Sequence, residues 1–249
     1  MKKIVFFLTA VLLVMASCSK MERNEKKFIK GILSEDFEES AKANQEFIQW
    51  LSKDKATMTY DFKLMREKLG LKVTTSPDSL LRCYSWCANS SSETPYYDNA
   101  VQWLYDGHFV AYNGSLNYLL TGRKANIKKQ SSLGHSIDTI FQINSGDKPV
   151  YLIAQSYVDS EKKKHAYVTA AYMVDYKLMI LPTFFDGIEF SGNNVFVDKG
   201  NTAIGELFKW DEKAGKFYAY QTDDSLNLIP GKYTTYVLGN NRFNRILEE

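Results

Sequence analysis

The chain has three histidines, which are the first residues to consider as catalytic groups. His108 lies at a predicted hairpin turn and His165 ends a lysine run, and both are ordinary solvated positions. His135 precedes Ser136 at the start of a predicted strand, where a general base could lie beside a hydroxyl. The simpler interpretation of His135 is a surface-loop residue, because no catalytic motif accompanies it. We therefore assign no catalytic residue from the sequence.

Cys83 and Cys87 lie on one predicted strand. Their spacing in an extended chain separates the Cα atoms by about 13 Å, whereas a disulfide needs less than about 7 Å. A bend near Ser85 would be needed to pair them. No second Cys or His pair lies at metal-ligand spacing. The sequence predicts two small thiols on one strand face, no metal site and no cofactor.

The third cysteine, Cys18, follows a segment with the features of a secretory signal. Lys2 and Lys3 form a positive start, and an apolar stretch runs from Ile4 to Ala16. That stretch is shorter than the roughly 20 residues of a membrane-spanning helix. A basic start, a short apolar core and a small-residue exit are typical of a signal peptide, which we predict over residues 1–17.

Met15-Ala16-Ser17-Cys18 resembles the lipobox of bacterial lipoproteins. The resemblance implies a diacylglyceryl thioether on Cys18, cleavage before it and acylation of the new N-terminus. Two or three acyl chains anchor a protein stably to a membrane. Ser19 replaces the aspartate that is typical of inner-membrane retention, so we expect the outer membrane and leave the leaflet open. The alternative is an ordinary signal peptide with an incidental cysteine at its end.

The charge of the mature chain indicates which partners to exclude. The whole chain has 31 Lys and Arg against 29 Asp and Glu. Removing residues 1–17 takes away Lys2 and Lys3 and no acidic residue, so the mature chain has equal numbers of each. Proteins that bind nucleic acids carry a basic stripe or domain. We therefore expect no nucleic-acid partner.

Helices are predicted only near the N-terminus. Residues 18–30 are highly charged and predict a short tether, and residues 31–70 predict a helical segment. Its first helix starts at Ser34 as N-cap and carries one apolar stripe: Phe37, Ala41, Ile48 and Leu51. A second helix fits Tyr60–Leu69. We expect both apolar faces to pack against the following β domain, so that helices and strands form one unit.

From residue 71 to residue 249 the hydrophobic period becomes two, which predicts β-strands. Asp106-Gly107 joins two alternating runs and is a strong hairpin signal. Short links favour antiparallel neighbours, because parallel crossovers need about a dozen residues. The predicted fold class is α+β, mainly β, with N-terminal helices followed by a large antiparallel β-meander. A sandwich, a barrel and a propeller-like arrangement all fit this pattern.

One stretch resembles a family of bacterial lipoproteins whose function is not established. It runs from Thr75 to Trp86 and combines a Ser-Pro-Asp turn with Arg-Cys-Tyr-Ser-Trp. Later landmarks are similar to this family as well: Gln155-Ser156-Tyr157 with Ser160, and Tyr236 with Arg242-Phe243. The resemblance implies a helical segment before a β-rich domain, an envelope location and no particular activity. Where the family has an acidic residue and a Gly-Gly-Thr loop, this chain has residues 87–94.

Aromatic residues make up 14% of the chain, with 16 Tyr, 15 Phe and 4 Trp. A cluster around one predicted hairpin and its preceding loop forms a candidate binding surface: Trp86, Tyr96, Tyr97 and Trp103. Exposed rings of this kind can stack on sugars or anchor a partner protein. Tyr96 and Tyr97 follow Pro95, so we expect them to be the most exposed. The alternative is a β core rich in strand-forming residues.

The functional prediction is a lipoprotein held at the membrane through Cys18. Its most favoured role is a non-catalytic binding or assembly module for an envelope protein or a glycan. The alternative is a hydrolase or glycan-binding protein that acts on envelope or dietary polymers, with His135 or paired carboxylates in a groove. A purely structural lipoprotein is the third hypothesis. An exposed aromatic patch would favour the first, and a cleft with several titratable groups the second.

Overall fold

The computed structural model describes the following parts of the chain: residues 20–89, 96–112, 136–145, 148–158, 164–181, 184–185, 195–198, 204–223 and 227–246. The predicted signal peptide and Cys18 lie outside these residues. The chain divides into two compact units, Met1–Leu71 and Lys72–Glu249. The sequence predicted that helices and strands would pack as one unit, and that packing stays a prediction.

The first unit is helical. Its described elements are α1 (20–32), α2 (Phe37–Lys53), a 3₁₀ turn (Lys55–Met58) and α3 (Lys63–Leu69). The Asp36 carboxylate caps α2 by accepting hydrogen bonds from the backbone N–H groups of Glu38 and Glu39 at 2.8 and 3.1 Å. The predicted cap, Ser34, instead donates its hydroxyl to the Glu39 carboxylate. No helix in the described part of the chain is both long and apolar enough to cross a membrane.

Helix α1 replaces the tether that the sequence predicted over residues 18–30. Its buried residues lie at helical spacing: Met21, Glu25, Phe28 and Ile32. The Phe28 ring packs on Phe47 of α2, with ring centroids 5.5 Å apart. Gly31 lies so close to α2 that an added Cβ would be 2.6 Å from the Ala43 side chain. The apolar stripe of α2 is therefore covered by another helix of the same unit.

Glu25 on α1 stabilises the start of α3. The preceding residue, Phe62, has a left-handed backbone (φ 57°) and no side-chain hydrogen bond to the helix. Glu25 is 1% exposed and accepts hydrogen bonds from the Met65 backbone N–H at 3.1 Å and the Tyr60 hydroxyl at 2.6 Å. The contact with Met65 satisfies a helix N–H that has no partner inside the helix. Both donors offset the cost of burying a carboxylate.

The second unit contains three antiparallel sheets. Sheet A is a meander of four strands: β1 (Lys72–Thr75), β2 (Leu81–Asn89), β3 (Tyr96–Tyr105) and β4 (His108–Tyr112). Asp106 and Gly107 join β3 to β4 with φ values of 47° and 71°. Two left-handed residues fit a tight turn whose twist matches that of the strands. The predicted hairpin at this position is confirmed.

Strand β2 carries both Cys83 and Cys87, which are free thiols. Cys83 is fully buried, and burial raises the pKa of its thiol. Cys87 lies four residues further along the strand and is half-buried. The two residues therefore lie on one strand, as the sequence predicted.

Sheet B has five described strands: β5 (Ser136–Ser145), β6 (Lys148–Val158), β7 (Lys164–Val174), β8 (Lys177–Ile180) and β9 (Val195–Asp198), which pairs with β7. The register between β5 and β6 shifts between Ile137 and Thr139. An extra residue of this kind is a β-bulge, which turns the side chains on either side of it relative to the regular pleat. Ile137 and Ile140 consequently join the same core cluster.

Sheet C follows a short helix. These elements are α4 (Ile204–Leu207), β10 (Phe208–Asp211), β11 (Lys216–Thr222), β12 (Leu228–Gly239) and β13 (Arg242–Ile246). Strand β10 begins directly after the helical turn α4. Asn240 and Asn241 join the last two strands with positive φ angles of 53° and 60°.

Sheet B packs on sheet A through one face and on sheet C through the other. Tyr151 and Ile153 of β6 join a cluster with Leu81 of sheet A. Leu152 and Ala154, which point the opposite way, join a cluster with the phenylalanines of sheet C. The α+β, mainly β fold is confirmed. Among the described strands the three sheets are stacked, and none of them closes into a barrel.

Candidate functional site

An open groove of about 370 Å³ lies where the three sheets of the second unit come together. Its lining residues are Pro77, Asp78, Ile140, Phe141, Gln142, Asn144, Trp210 and Glu212. The first two come from the turn between β1 and β2, the next four from β5, and the last two from β10 and the turn after it. The groove combines aromatic rings with carboxylates and amides.

The Ser76-Pro77-Asp78-Ser79 turn positions the first carboxylate of the groove. The turn is closed by a hydrogen bond from the Ser79 N–H to the Ser76 carbonyl at 2.8 Å. Asp78 Oδ1 accepts hydrogen bonds from the Ser76 hydroxyl at 2.5 Å and the Leu80 N–H at 3.0 Å. An aspartate that bonds its own turn in this way fixes the backbone locally. The sequence signal for the turn was correct, and its place at a groove was not predicted.

Sheet B holds Asp78 from the other side. The Tyr151 hydroxyl donates to Asp78 Oδ2 at 2.8 Å, and the Asp78 N–H donates to Gln142 Oε1 at 2.9 Å. Burial, followed by the hydrogen bond and charge of Asp78, raises the pKa of Tyr151. The phenol therefore keeps its proton and acts as a donor. The Asp78 carboxylate thus has hydrogen-bond donors on both oxygen atoms.

Other polar atoms of the groove lack partners within the described residues. Gln142 Nε2 donates to Asn144 Oδ1 at 3.2 Å, which leaves the Asn144 amide N–H groups free. Trp210 Nε1 is buried and has no hydrogen-bond partner. Glu212 is exposed, and its carboxylate forms none of the ion pairs or hydrogen bonds of the described chain. The groove therefore offers hydrogen-bond donors and one free carboxylate to a ligand.

A second polar cluster surrounds Asp138 at the β5 bulge. Lys72 Nζ donates to Asp138 Oδ1 and, at 2.8 Å, to the Ser136 hydroxyl. The Ser156 hydroxyl donates to Asp138 Oδ2 at 2.8 Å. Lys72 forms an ion pair with Asp138, and Ser136 is 2% exposed, so its hydroxyl is not open to a substrate. The cluster therefore joins β1, β5 and β6.

The structure changes the candidate binding surface that the sequence proposed. Trp86 and Trp103 are 0% and 3% exposed, so neither ring is part of a surface. Both side chains belong to the β core, which was the alternative interpretation of these aromatic residues. Tyr97 is half-buried, and burial raises the pKa of its hydroxyl against the opposing effect of Lys72. The Tyr96 side chain lies outside the described residues.

The other candidate groups do not converge on a site. His108 packs its ring near Tyr176, with centroids 5.9 Å apart, and His165 stacks on Tyr157 at 4.7 Å. His135 and Cys18 lie outside the described residues. Within the described chain, no group of three or more His, Cys, Asp or Glu side chains is placed to hold a metal ion.

Sequence reasoning missed the groove because its residues come from distant parts of the chain. Gln142 and Asn144 lie on β5, and Trp210 and Glu212 lie on β10 and in the turn after it, about 70 residues further along the chain. Only the Ser-Pro-Asp turn carried a local signal. Comparison with protein families, with curated proteins and with solved structures found no match to this chain.

Proposed function

We propose that this protein is a lipid-anchored lipoprotein of the bacterial envelope whose β unit binds an envelope partner or a glycan without catalysing a reaction. The observation that carries the proposal is the groove between the three sheets. Its size lies at the low end for ligand pockets, and it combines apolar walls with a few placed polar groups. Such composition is typical of binding sites.

Two aromatic rings of the groove pack on core residues. The Phe141 ring packs edge-on against Phe217 at a centroid distance of 5.9 Å, and the Trp210 ring packs edge-on against Phe243 at 5.6 Å. Both partners are fully buried. Side chains that are already packed lose little conformational freedom when a ligand binds. This packing supports a role in recognition.

The hydrogen bonds of Asp78 favour binding over hydrolysis. Ser76, Leu80 and Tyr151 already donate to its two oxygen atoms. A carboxylate that acts as a nucleophile or passes a proton needs an oxygen that faces the reacting bond. Asp78 is held as a structural acceptor, which leaves Glu212 as the only carboxylate free of such bonds among the described groove residues.

Hydrolysis is the second candidate, because two carboxylates line the groove. Most glycosidases use such a pair on either side of the scissile bond. The test is turnover of a panel of envelope and dietary polysaccharides by the full-length lipoprotein and by Asp78→Asn and Glu212→Gln. Turnover that is lost in both variants would establish hydrolysis. No turnover by the unaltered protein is the result expected for a binding module.

The membrane anchor is the other part of the proposal. Helix α1 begins two residues after Cys18, so the helical unit would start directly at the lipid. Growth with an alkyne-labelled fatty acid should label the protein and leave it in the outer-membrane fraction. Cys18→Ala should remove both the label and the membrane association. A labelled or membrane-bound Cys18→Ala protein would contradict lipidation at this residue.

The groove itself is tested by photo-cross-linking in cells. A photoreactive amino acid placed at Asn144, which is exposed on the groove, should give adducts that depend on light. The matched control places the same residue at Glu67, which is exposed on α3. Adducts at Asn144 alone support a groove ligand. Equal yields at the two positions, or none at Asn144, would refute the binding role of the groove.

A further inference from the structure

We infer that the groove binds a neutral, hydroxyl-rich saccharide unit, an inference that rests on the proposed binding function. Polar atoms of the groove that have no partner among the described residues, and the rings that lie beside them, support this choice of ligand. Each feature excludes a different class of ligand.

The donors of the groove require a ligand that accepts hydrogen bonds. Trp210 Nε1 is buried with no partner, and a buried N–H without an acceptor is unfavourable. The Asn144 amide, whose oxygen accepts from Gln142, adds a second donor. An indole N–H can only donate. A ligand oxygen that reached Trp210 Nε1 from the groove would satisfy a donor that no described residue satisfies.

The carboxylates exclude an anion and favour a ligand that also donates. Glu212 is exposed on the groove, and Asp78 adds a second negative charge to its lining. A phosphate or carboxylate ligand would be repelled by both. A purely cationic group would satisfy Glu212 and leave Trp210 Nε1 without an acceptor. A hydroxyl both donates and accepts, so a ring that carries several hydroxyls matches both kinds of group.

The apolar part of the lining fits the remaining face of a sugar ring. Phe141, Ile140 and Pro77 lie in the same groove as the polar groups. The C–H face of a pyranose is apolar, and an aromatic or aliphatic surface can cover it. Trp and Tyr rings are well suited to such mixed ligands because they combine apolar area with a polar end. The open shape of the groove allows a chain to continue beyond the bound unit.

The experiment measures binding of neutral tetrasaccharides of glucose, mannose, galactose and xylose to the detergent-solubilised, full-length lipoprotein by calorimetry. Trp210→Phe keeps an aromatic ring and removes the donor, and Glu212→Gln removes the charge. The matched controls are Tyr218→Phe on another strand of sheet C and Glu67→Gln on α3. Thermal unfolding of each variant establishes that it is folded. Glu212 lies in an exposed turn, so we expect Glu212→Gln to fold. This variant therefore tests the inference even if Trp210→Phe does not fold.

We expect at least one tetrasaccharide to bind. Both groove variants should raise its Kd by about 10-fold, which corresponds to a loss of about 1.4 kcal/mol in binding free energy. The controls should bind like the unaltered protein. No saccharide binding, or equal Kd values in the groove variants, would overturn the inference. Groove-dependent binding of trilysine or inorganic phosphate would also overturn it while leaving the binding module in place. The cross-linking experiment at Asn144 tests that module separately.

Discussion

Two aspartates of the β unit are removed from full contact with water and are stabilised differently. Asp98 on β3 is half-buried, and its carboxylate accepts a hydrogen bond from the backbone N–H of Asn99 at 2.9 Å. Burial raises the pKa of Asp98 to about 6, and the Asn99 hydrogen bond opposes this only in part. Asp138 instead has a cation and two hydroxyls around it.

The raised pKa of Asp98 predicts how stability depends on pH. The folded chain holds the proton up to pH about 6, whereas an unfolded aspartate releases it near 3.8. The stabilisation from protonated Asp98 is therefore fully present below about pH 4 and is lost as the pH rises through about 6. Asp98→Asn should increase the free energy of unfolding at pH 7 by up to about 3 kcal/mol. Denaturant titrations at several pH values measure this difference.

The control for Asp98 is Asp106→Asn, which changes an exposed carboxylate in the β3–β4 turn. Its free energy of unfolding should follow that of the unaltered protein at each pH. The gain from Asp98→Asn should disappear below about pH 4, where the native residue is neutral in both states. A gain that is the same at pH 4 and pH 7 would contradict the burial of a charge at this position.

Removing Asp138 should destabilise the β unit. Its side chain is 12% exposed and accepts hydrogen bonds from Lys72, Ser136 and Ser156. Asp138→Ala leaves these donors without their acceptor, so we expect a loss of about 1–3 kcal/mol in the free energy of unfolding. Asp61→Ala is the control, because Asp61 pairs with Arg66 at 3.6 Å while 77% exposed. That pair should contribute less than about 1 kcal/mol, and equal losses would contradict this account.

At the scale of elements, α1 shows how a polar residue can belong to a buried helical stripe. Glu25 occupies the position between Met21 and Phe28 where an apolar residue is expected. It is buried because the Tyr60 hydroxyl and the Met65 N–H both donate to it. One side chain therefore joins α1 to the start of α3. The same contact compensates for the missing cap at Phe62.

The role of Glu25 is tested by its removal. Glu25→Ala should lower the free energy of unfolding of the helical unit by about 1–3 kcal/mol, since the buried Met65 N–H and the half-buried Tyr60 hydroxyl lose their acceptor. Glu22→Ala on the same helix is the matched control, because Glu22 is 51% exposed and pairs with the exposed Lys26. Its effect should be smaller than that of Glu25→Ala, because solvent screens an exposed ion pair. Thermal unfolding, followed by the helical signal in circular dichroism, compares the two variants. Similar unfolding midpoints would contradict the role of Glu25 in capping α3.

At the scale of the whole β unit, the central position of sheet B sets the requirement for apolar residues. Both of its faces are covered, so β6 carries apolar side chains toward sheet A and toward sheet C. The result is a continuous buried run over residues 150–154. Sheets with a solvent face alternate instead. The groove lies at the rim of this stack, where strands from different layers end near one another.

A substitution in the middle layer should be among the most damaging. Leu152 is fully buried in the cluster between sheets B and C. Leu152→Ala should lower the free energy of unfolding by about 2–5 kcal/mol, from lost burial and the cavity that remains. Met179→Ala is the control, because Met179 is 41% exposed on β8. Chemical denaturation measures both, and a loss below about 1 kcal/mol at Leu152 would contradict tight packing between these layers.

Local signals predicted much of the β unit. Asp106-Gly107 specified a hairpin because few residue pairs adopt two left-handed conformations in succession. Ser76-Pro77-Asp78 specified a turn through its own side-chain hydrogen bonds. The prediction failed at α1, where Glu25 interrupted the apolar stripe and the contacts that allow its burial lay about forty residues away. Trp86 and Trp103 were ambiguous, because burial depends on neighbours that the local sequence does not specify.

The class of fold and several turns follow from the sequence, because hydrophobic period and turn chemistry act over a few residues. The address implied by the motif at Cys18 stays a prediction. Which polar groups meet depends on tertiary structure. Asp78, Gln142, Trp210 and Glu212 come together only because three sheets stack and their ends align. Contacts across such separations depend on register and layer order, which no single segment encodes.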